Sequence, residues 1–141
     1  MVKAIGTLEL NSAYLYLLMA TDFGRHCLIA EHENKAAGVV IGYRPPRDPS
    51  EAFVWQVGVL PEFRGQRLGL QMLQAWKELP ANHDARWVTA TVDPDNQSSR
   101  ALFSALARQL NVPLSERKHF IPEHFPEAHP PEPLLRVGPI P

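Results

Sequence analysis

A predicted strand, a short loop and an amphipathic helix in the middle of the chain constrain its fold most. Residues 52–59 form an apolar, β-branched run of strand length, which Pro61 ends. The segment after the loop has apolar side chains at helical spacing, namely Leu68, Met72, Leu73, Trp76 and Leu79. Its polar side chains Gln71, Gln74, Lys77 and Glu78 fall on the other faces. The pattern predicts a buried central strand joined to a helix that begins near Leu68.

The loop between them has the composition of an anion-binding site. The first N–H groups of a helix have no partners within it, and the helix dipole is positive at that end. Gly65 and Gly69 leave room for a phosphate to approach those amides, and Arg64 and Arg67 add positive charge. Taken alone, the motif is equally consistent with a simple strand-to-helix turn carrying solvated arginines.

The N-terminal part of the chain predicts two helices. A short one is expected over residues 3–8, and a longer one, capped by Asn11 or Ser12, is expected to run to about residue 22. The longer helix is expected to turn three apolar side chains toward the core, namely Tyr14, Leu17 and Leu18.

The remaining patterns predict a mixed α/β sheet with helices on both faces. Residues 26–32 and 36–43 are strand-like and separated by three polar residues, which indicates an antiparallel hairpin. A strand over 87–92 and a helix over 97–110 follow, so that a parallel crossover is expected around the helix at 68–79. The apolar face of the last helix is predicted to be Leu102, Ala105, Leu106 and Leu110.

Proline dominates the C-terminal region, where residues 113–141 contain eight of the fourteen prolines. Such a segment is not expected to hold long helices or central strands. Short strands at 118–121 and 134–137 would complete the sheet as an ordered arm. Disorder of the last dozen residues is the alternative.

Composition predicts one globular domain over residues 1–141, since the chain is 45% hydrophobic and 21% charged. A net charge of -1 argues against a nucleic-acid partner.

Cys27 is the single cysteine, which excludes an internal disulfide and favours a reducing cytoplasm. Its thiol is expected to be a small buried hydrophobic group. No stretch is long enough to span a membrane, and six histidines without a carboxylate or cysteine cluster predict no metal site.

The loop resembles the acetyl-CoA signature of the GNAT acyltransferase superfamily, Arg/Gln-x-x-Gly-x-Gly/Ala. Arg64 and Gly69 match its first and last positions, whereas Arg67 stands where the middle glycine is expected. Segments 11–18, 42–46, 53–57 and 91–99 together resemble the L-2,4-diaminobutyrate acetyltransferases of ectoine biosynthesis. Three departures accompany the resemblance: Glu9 replaces an aspartate, Pro130 interrupts a C-terminal His-Glu-x-Glu motif, and a leading strand usual in the family is missing.

This resemblance implies a GNAT-type, mostly antiparallel sheet that lacks its first strand, and an enzyme that moves acetyl from acetyl-CoA to the γ-amine of L-2,4-diaminobutyrate, as a homodimer. It assigns main-chain N–H groups of Val57 and Val59 to the acetyl oxygen and the pantetheine arm. The implied cofactor-binding residues are Val57, Val59, Arg64, Gly65, Gln66, Arg67, Leu68, Gly69, Asn96, Ser99 and Phe103. The implied substrate-binding residues are Glu9, Tyr14, Trp55 and Glu132.

Several roles stay open at this stage. Many relatives have a tyrosine that protonates the departing thiolate where this chain has Phe103, so that Tyr43 and ordered water become the candidate proton donors. The two glutamates are equally compatible with solvated surface positions, and Trp55 with core packing. The alternatives in function are acetylation of another small amine, or binding of CoA without turnover.

Overall fold

The computed structural model describes all residues from Met1 to Pro141. Four helices and six strands alternate with short turns. The helices are α1 (Val2–Ile5), α2 (Ala13–Asp22), α3 (Leu68–Lys77) and α4 (Gln97–Leu110). The strands are β1 (Cys27–His32), β2 (Lys35–Tyr43), β3 (Glu51–Val59), β4 (Trp87–Thr91), β5 (Leu114–Phe120) and β6 (Glu132–Val137).

The six strands form one sheet in the order β1-β2-β3-β4-β6-β5. Only β3 and β4 pair in parallel, and every other pair of neighbours is antiparallel. The parallel pair is connected through α3, as the strand–helix–strand pattern predicts. The mixed, mostly antiparallel sheet is therefore confirmed, and its first strand, β1, follows two helices.

The β1–β2 hairpin is confirmed with a tighter turn than predicted. Its two turn residues, Glu33 and Asn34, have φ angles of 49° and 63°. Two consecutive left-handed residues suit the right-handed twist of the flanking strands. Lys35 is already part of β2 and pairs with His32.

Helices cover both faces of the sheet, as predicted. The larger core lies on the α3 and α4 side, where Leu73, Trp76, Phe103 and Leu106 are almost completely buried. The smaller core lies on the α1 and α2 side and includes Ile5, Met19, Val39 and Ile41. Together, these two layers enclose the strands from which the site is built.

The predicted inner face of α2 is wrong. Tyr14, Leu17 and Leu18 are exposed, whereas the side chains that pack on the small core are Leu15, Tyr16 and Met19. The helix sequence Ala-Tyr-Leu-Tyr-Leu-Leu-Met-Ala is apolar on every side, so helical periodicity does not select a face. Packing against the sheet makes the selection instead.

Helix α1 ends at Ile5, before Gly6, and not at residue 8 as predicted. Helices α3 and α4 follow their predictions with two corrections. In α3, Met72, Leu73 and Trp76 are buried as expected, but Lys77 is buried too, and its Nζ donates to the carbonyl of His83 at 2.7 Å. Burial lowers the pKa of the Lys77 ammonium. In α4 the most buried side chains are Phe103, Leu106 and Ala107. The buried face of the helix is therefore rotated relative to the predicted one, and Ala105 is not at its centre.

The C-terminal arm is ordered into β5 and β6, both longer than the predicted strands. Although prolines were expected to exclude a central strand, β6 lies inside the sheet between β4 and β5. Pro133 is tolerated because it is only the second residue of β6, while the ladder with β4 begins at Leu134. The disorder alternative is therefore wrong for these residues.

A buried carboxylate holds β3 and β4 together where they pair. Glu51 accepts from Arg47 at 3.0 Å and from the Thr89 hydroxyl at 3.1 Å, and its other oxygen lies 3.8 Å from Nε of Arg136. Arg136 is itself buried, which lowers its pKa, and its guanidinium lies 3.7 Å from the ring centroid of Trp87. This cluster ties three strands together at one end of the sheet.

Candidate active site

Divergence of β3 and β4 opens a cavity within the sheet, which we name the main cavity. The two strands pair only between 51–53 and 87–89, and beyond that point they separate. A cavity of about 300 Å³ lies in the gap. Its walls come from the segment 7–9, from 54–57 of β3, from 90–93 at the end of β4, from Asn96, Ser99 and Phe103 of α4, and from His129 and Glu132 of the arm.

The gap leaves main-chain donors of β3 without strand partners. Leu60 N–H donates to the carbonyl of Ala37 at 2.8 Å, which fixes its direction toward β2. Because N–H directions alternate along a strand, Val57 and Val59 direct theirs to the opposite edge, where β4 has already separated. Val57 lines the main cavity, and Val59 lines a second cleft beside the loop. Both positions match the implied role of a donor to the acetyl oxygen or the pantetheine arm.

The loop before α3 turns through a left-handed residue beside open space. Gly65 has a φ of 79°, and a Cβ placed there would meet nothing within 4 Å. A cleft of about 340 Å³ lies between the loop and α4, lined by Arg64, Gly65, Arg67, Leu68 and Gly69 among others. Gln66 is exposed and lines neither cavity.

Arg67 explains the departure from the glycine signature. It is the N-cap of α3 and has a φ of 60°, the left-handed conformation that glycine adopts most easily. A residue with a Cβ costs about 1–2 kcal/mol in this region. The chain thus keeps the backbone shape of the signature and adds a guanidinium to the cleft.

Arg64 is placed differently from Arg67. Its Nη2 donates to the carbonyl of Ile5 at 2.5 Å, and its Nε donates to the carbonyl of Val59 at 3.3 Å. The side chain borders the cleft, but two of its N–H groups are directed at protein oxygens. It therefore connects the loop to the end of α1.

The N-terminus of α4 lines the main cavity. Asn96 caps this helix, and its Oδ1 accepts from the Ser99 N–H and from the Ser98 hydroxyl, each at 3.2 Å. Phe103 follows on the same helix and is 2% exposed. Its ring forms part of the cavity wall. The ring can contact an apolar group such as the pantetheine arm, but it cannot donate a proton.

A partly buried polar network supports the opposite wall. Gln56 Nε2 donates to the carbonyl of Glu9 at 2.9 Å, and the Tyr16 hydroxyl lies 3.2 Å from both that carbonyl and Gln56 Oε1. Tyr16 also stacks on Trp55, with ring centroids 5.7 Å apart. Sequence reasoning missed Gln56 and Tyr16. A glutamine inside an otherwise apolar strand was the available signal.

The C-terminal arm closes the cavity with Glu132 and His129. His129 Nδ1 lies 2.6 Å from the carbonyl of Pro130, and the ring stacks on Phe125 at 3.8 Å between centroids. A carbonyl only accepts hydrogen bonds, so Nδ1 carries the proton and Nε2 is the basic nitrogen of the neutral ring. Glu9 and Glu132 both line this cavity, which therefore favours a cationic ligand.

Two predicted site residues, Tyr14 and Tyr43, lie outside both the main cavity and the cleft beside the loop. Tyr14 is 69% exposed on α2 and does not line the cavity. Tyr43 lies near the ends of β2 and β3, where its ring packs against Phe23 and Phe53, and it lines neither cavity. A proton donor role for Tyr43 has no geometric support, because the strand carries its side chain away from the gap.

No group of three or more His, Cys, Asp or Glu side chains is arranged to hold a metal ion. No helix has both the length and the apolar character needed to cross a membrane.

Comparison with known proteins agrees with this geometry. The acetyltransferase (GNAT) family model matches residues 6–107. The L-2,4-diaminobutyric acid acetyltransferase of Nocardia farcinica is 40% identical over 94% of this chain and 69% of its own length. The corresponding enzyme of Chromohalobacter salexigens is 38% identical over 99% of this chain and 73% of its own length.

Solved structures extend the similarity to the fold. Diaminobutyrate acetyltransferase EctA from Paenibacillus lautus, in complex with its substrate L-2,4-diaminobutyric acid and coenzyme A, superposes with a TM-score of 0.90 at 37% identity, over 99% of this chain and 85% of that one. Ard1 from Thermoplasma volcanium, at 15% identity, shares the fold with a TM-score of 0.74 over 98% of this chain and 88% of its own. The chain belongs to the GNAT acetyltransferase family and, within it, to the L-2,4-diaminobutyric acid acetyltransferases.

Proposed function

We propose that this protein transfers acetyl from acetyl-CoA to the γ-amine of L-2,4-diaminobutyrate, which yields γ-N-acetyl-diaminobutyrate for ectoine biosynthesis. One observation carries the proposal. The gap between β3 and β4 connects a wall of α4 on one face of the sheet to a wall with Glu9, Trp55 and Glu132 on the other. A thioester and a diamino acid can therefore meet at the unpaired amide of Val57.

The donor side is assigned to the loop and α4. The amides of 65–69 at the start of α3, together with Arg67, receive the pyrophosphate, because unpaired N–H groups and the helix dipole favour an anion there. The N–H groups of Val57 and Val59 receive the acetyl oxygen and the pantetheine arm. Asn96, Ser99 and the ring of Phe103 line the path of that arm.

The acceptor side is assigned to the two glutamates and Trp55. Glu9 or Glu132 pairs with the α-ammonium that is retained, since a charge-assisted hydrogen bond is about twice as strong as a neutral one. Trp55, fixed by its stack on Tyr16, supplies an apolar wall beside the cation. Tyr14 has no place in this cavity within a single subunit.

The reaction requires a neutral amine, a polarised thioester carbonyl and a route for one proton. Acetyl-CoA supplies the activated acyl group and a thiolate leaving group. Val57 N–H stabilises negative charge on the carbonyl oxygen, and Nε2 of His129, directly or through water, accepts the amine proton. Phe103 provides no acid, so water returns a proton to the thiolate.

Thiol release from acetyl-CoA tests the function when diaminobutyrate, ornithine and lysine are compared as acceptors. Diaminobutyrate should give the highest kcat/KM, because each additional methylene in a shaped pocket changes kcat/KM by about tenfold or more. NMR of the product should show acetyl on the γ-nitrogen. Faster release with another amine would replace the substrate assignment. CoA binding without release for any amine would leave a binding protein.

We also propose that the protein is a cytoplasmic homodimer, with α2 in the interface. Leu10, Tyr14, Leu17 and Leu18 expose apolar surface next to a groove of about 570 Å³ at the N-terminus. Contiguous apolar surface of this kind is typical of protein interfaces. Light scattering should give a dimer for the wild type and a monomer for L17E. A wild-type monomer would contradict the proposal.

A further inference from the structure

We propose that Arg64 is a positioning residue that couples the cofactor loop to the acceptor wall of the active site, and that it is not the arginine that binds the pyrophosphate. The inference rests on the proposed function, because it assigns a role within that site. It concerns a residue of the family signature whose side chain has two hydrogen bonds to protein carbonyls in this structure.

The first observation is the contact between Arg64 and α1. Arg64 Nη2 donates to the carbonyl of Ile5 at 2.5 Å across 59 positions of sequence. Carbonyls at a helix C-terminus have no partner within the helix, and basic side chains often satisfy them. Immediately after Ile5, Gly6 has a φ of 80° and redirects the chain into the segment 7–9. Arg64 therefore holds the residue from which the acceptor wall departs.

The second observation is the packing of that segment on β3. Ile5 is 1% exposed, and a Cβ added at Gly58 would lie 2.9 Å from Ile5 Cγ2 and from Leu8 Cδ1. Such distances are shorter than a real Cβ allows, so the segment lies directly on the backbone of β3. At the far end of the segment, Gln56 and Tyr16 hold the carbonyl of Glu9.

The segment is thus attached at both ends, and its attachment at Ile5 comes from the cofactor loop. Thr7, Leu8 and Glu9 line the cavity between these two attachments. A change in the position of Arg64 is therefore transmitted to the wall that holds Glu9. By thermodynamic reciprocity, acetyl-CoA and the amine then increase each other's affinity by the same factor.

Arg67 provides the contrast that makes the assignment testable. It lines the same cleft, stands at the N-cap of α3, and its side chain has no hydrogen bond or ion pair to protein in this structure. Its guanidinium is directed to no protein acceptor, whereas Arg64 has two. Within one loop, Arg67 is the phosphate partner and Arg64 is the connection to α1.

The experiment compares R64A with R67A, which remove the same charge from positions three residues apart. Wild-type turnover with diaminobutyrate is measured first, and it tests the proposed function separately. For R64A we expect KM for the amine to rise about tenfold, within the usual range of site-to-site coupling, while the dissociation constant of CoA, measured in the absence of the amine, changes less than about twofold. For R67A we expect the opposite: the dissociation constant of CoA should rise about tenfold, and KM for the amine should change less than about twofold. R64K, which retains one donor to Ile5, should recover part of the loss.

Hydrogen exchange provides a readout that does not depend on turnover. Amides of residues 6–9 should exchange faster in R64A than in wild type or R67A, and CoA should slow their exchange only when Arg64 is present. A weaker affinity of R64A for CoA with an unchanged KM for the amine would identify Arg64 as a phosphate ligand and overturn the proposal. A fall in Tm with unchanged kinetics and unchanged exchange at 6–9 would reduce it to a helix cap and also overturn it.

Discussion

The two sides of the β3–β4 gap are built in different ways. The proposed donor side comes largely from one continuous stretch, the end of β3, the loop 64–69 and α3, with α4 beside it. The proposed acceptor side is assembled from Glu9, Trp55 and Glu132, which lie in three distant parts of the chain. A local backbone shape is encoded by neighbouring residues, whereas a pocket of distant side chains exists only after the chain has folded. The donor side was therefore the easier one to recognise.

Glu51 holds β3 and β4 together at the point where the gap begins. Loss of its carboxylate should therefore cause the largest change in the free energy of unfolding. E51A leaves the buried Arg136 without its counter-charge, and breaking one partner of a buried pair typically costs about 3–5 kcal/mol. Urea unfolding should show this fall in the free energy of unfolding, with exposed Glu127 changed to Ala as the control. A loss below about 1 kcal/mol would mean that the β3–β4 pairing does not depend on this cluster.

Glu132 tests the acceptor side alone. E132Q removes the charge but retains the shape, and a lost charge-assisted hydrogen bond of about 1.5–3 kcal/mol raises KM for the amine by about tenfold to a hundredfold. The affinity for CoA should not change. E127Q, at an exposed position of the same arm that does not line the main cavity, is the matched control. Equal kinetics for E132Q and E127Q would remove Glu132 from the substrate site.

Gly65 tests the donor side alone. G65V places a β-branched residue at a φ of 79°, which costs about 1–2 kcal/mol and displaces the amides that face the cleft. The affinity for CoA, measured by calorimetry, should fall at least tenfold. G24V is the control, since Gly24 is equally open but does not have a positive φ. An unchanged affinity in G65V would exclude the loop from the cofactor site.

Arg67 should show the smallest effect on stability. R67G restores the glycine of the signature and relieves the left-handed strain of about 1–2 kcal/mol, but glycine loses about 0.5–1 kcal/mol through the entropy of the unfolded chain. Thermal unfolding should therefore show a small net gain, while the affinity for CoA falls because a cation has left the cleft. A gain in stability together with unchanged affinity would show that Arg67 is not a phosphate partner.

Secondary structure was predictable wherever the pattern of neighbouring residues was compatible with only one local structure. The hairpin, the parallel crossover and the capped helices α2 and α4 were all predicted, because their turns, caps and periodicity depend on adjacent residues. The face of α2 was not, because an all-apolar helix carries no periodic signal. The position of β6 in the interior of the sheet was not either, since its pairing with β4 and β5 involves residues far along the chain.

The site shows the same division. The resemblance identified Val57, Asn96, Phe103, Trp55 and Glu132, and the structure places all five around one cavity. Their individual roles stay predictions. Tyr43 was a reasonable candidate by chemistry alone, yet its strand directs it toward Phe53. Tyr16 and Gln56 were overlooked, because a glutamine in an apolar strand does not indicate which residue forty positions away is its partner.

By itself, the sequence determined the order of strands and helices, the glycine-containing turn before α3 and the family signature, since short-range sterics, capping and periodicity act between neighbours. The tertiary structure decided where β3 leaves β4, which face of α2 is buried and which arginine of the loop is bound to α1. Those outcomes depend on contacts between distant segments, and such contacts are selected only when the whole core packs.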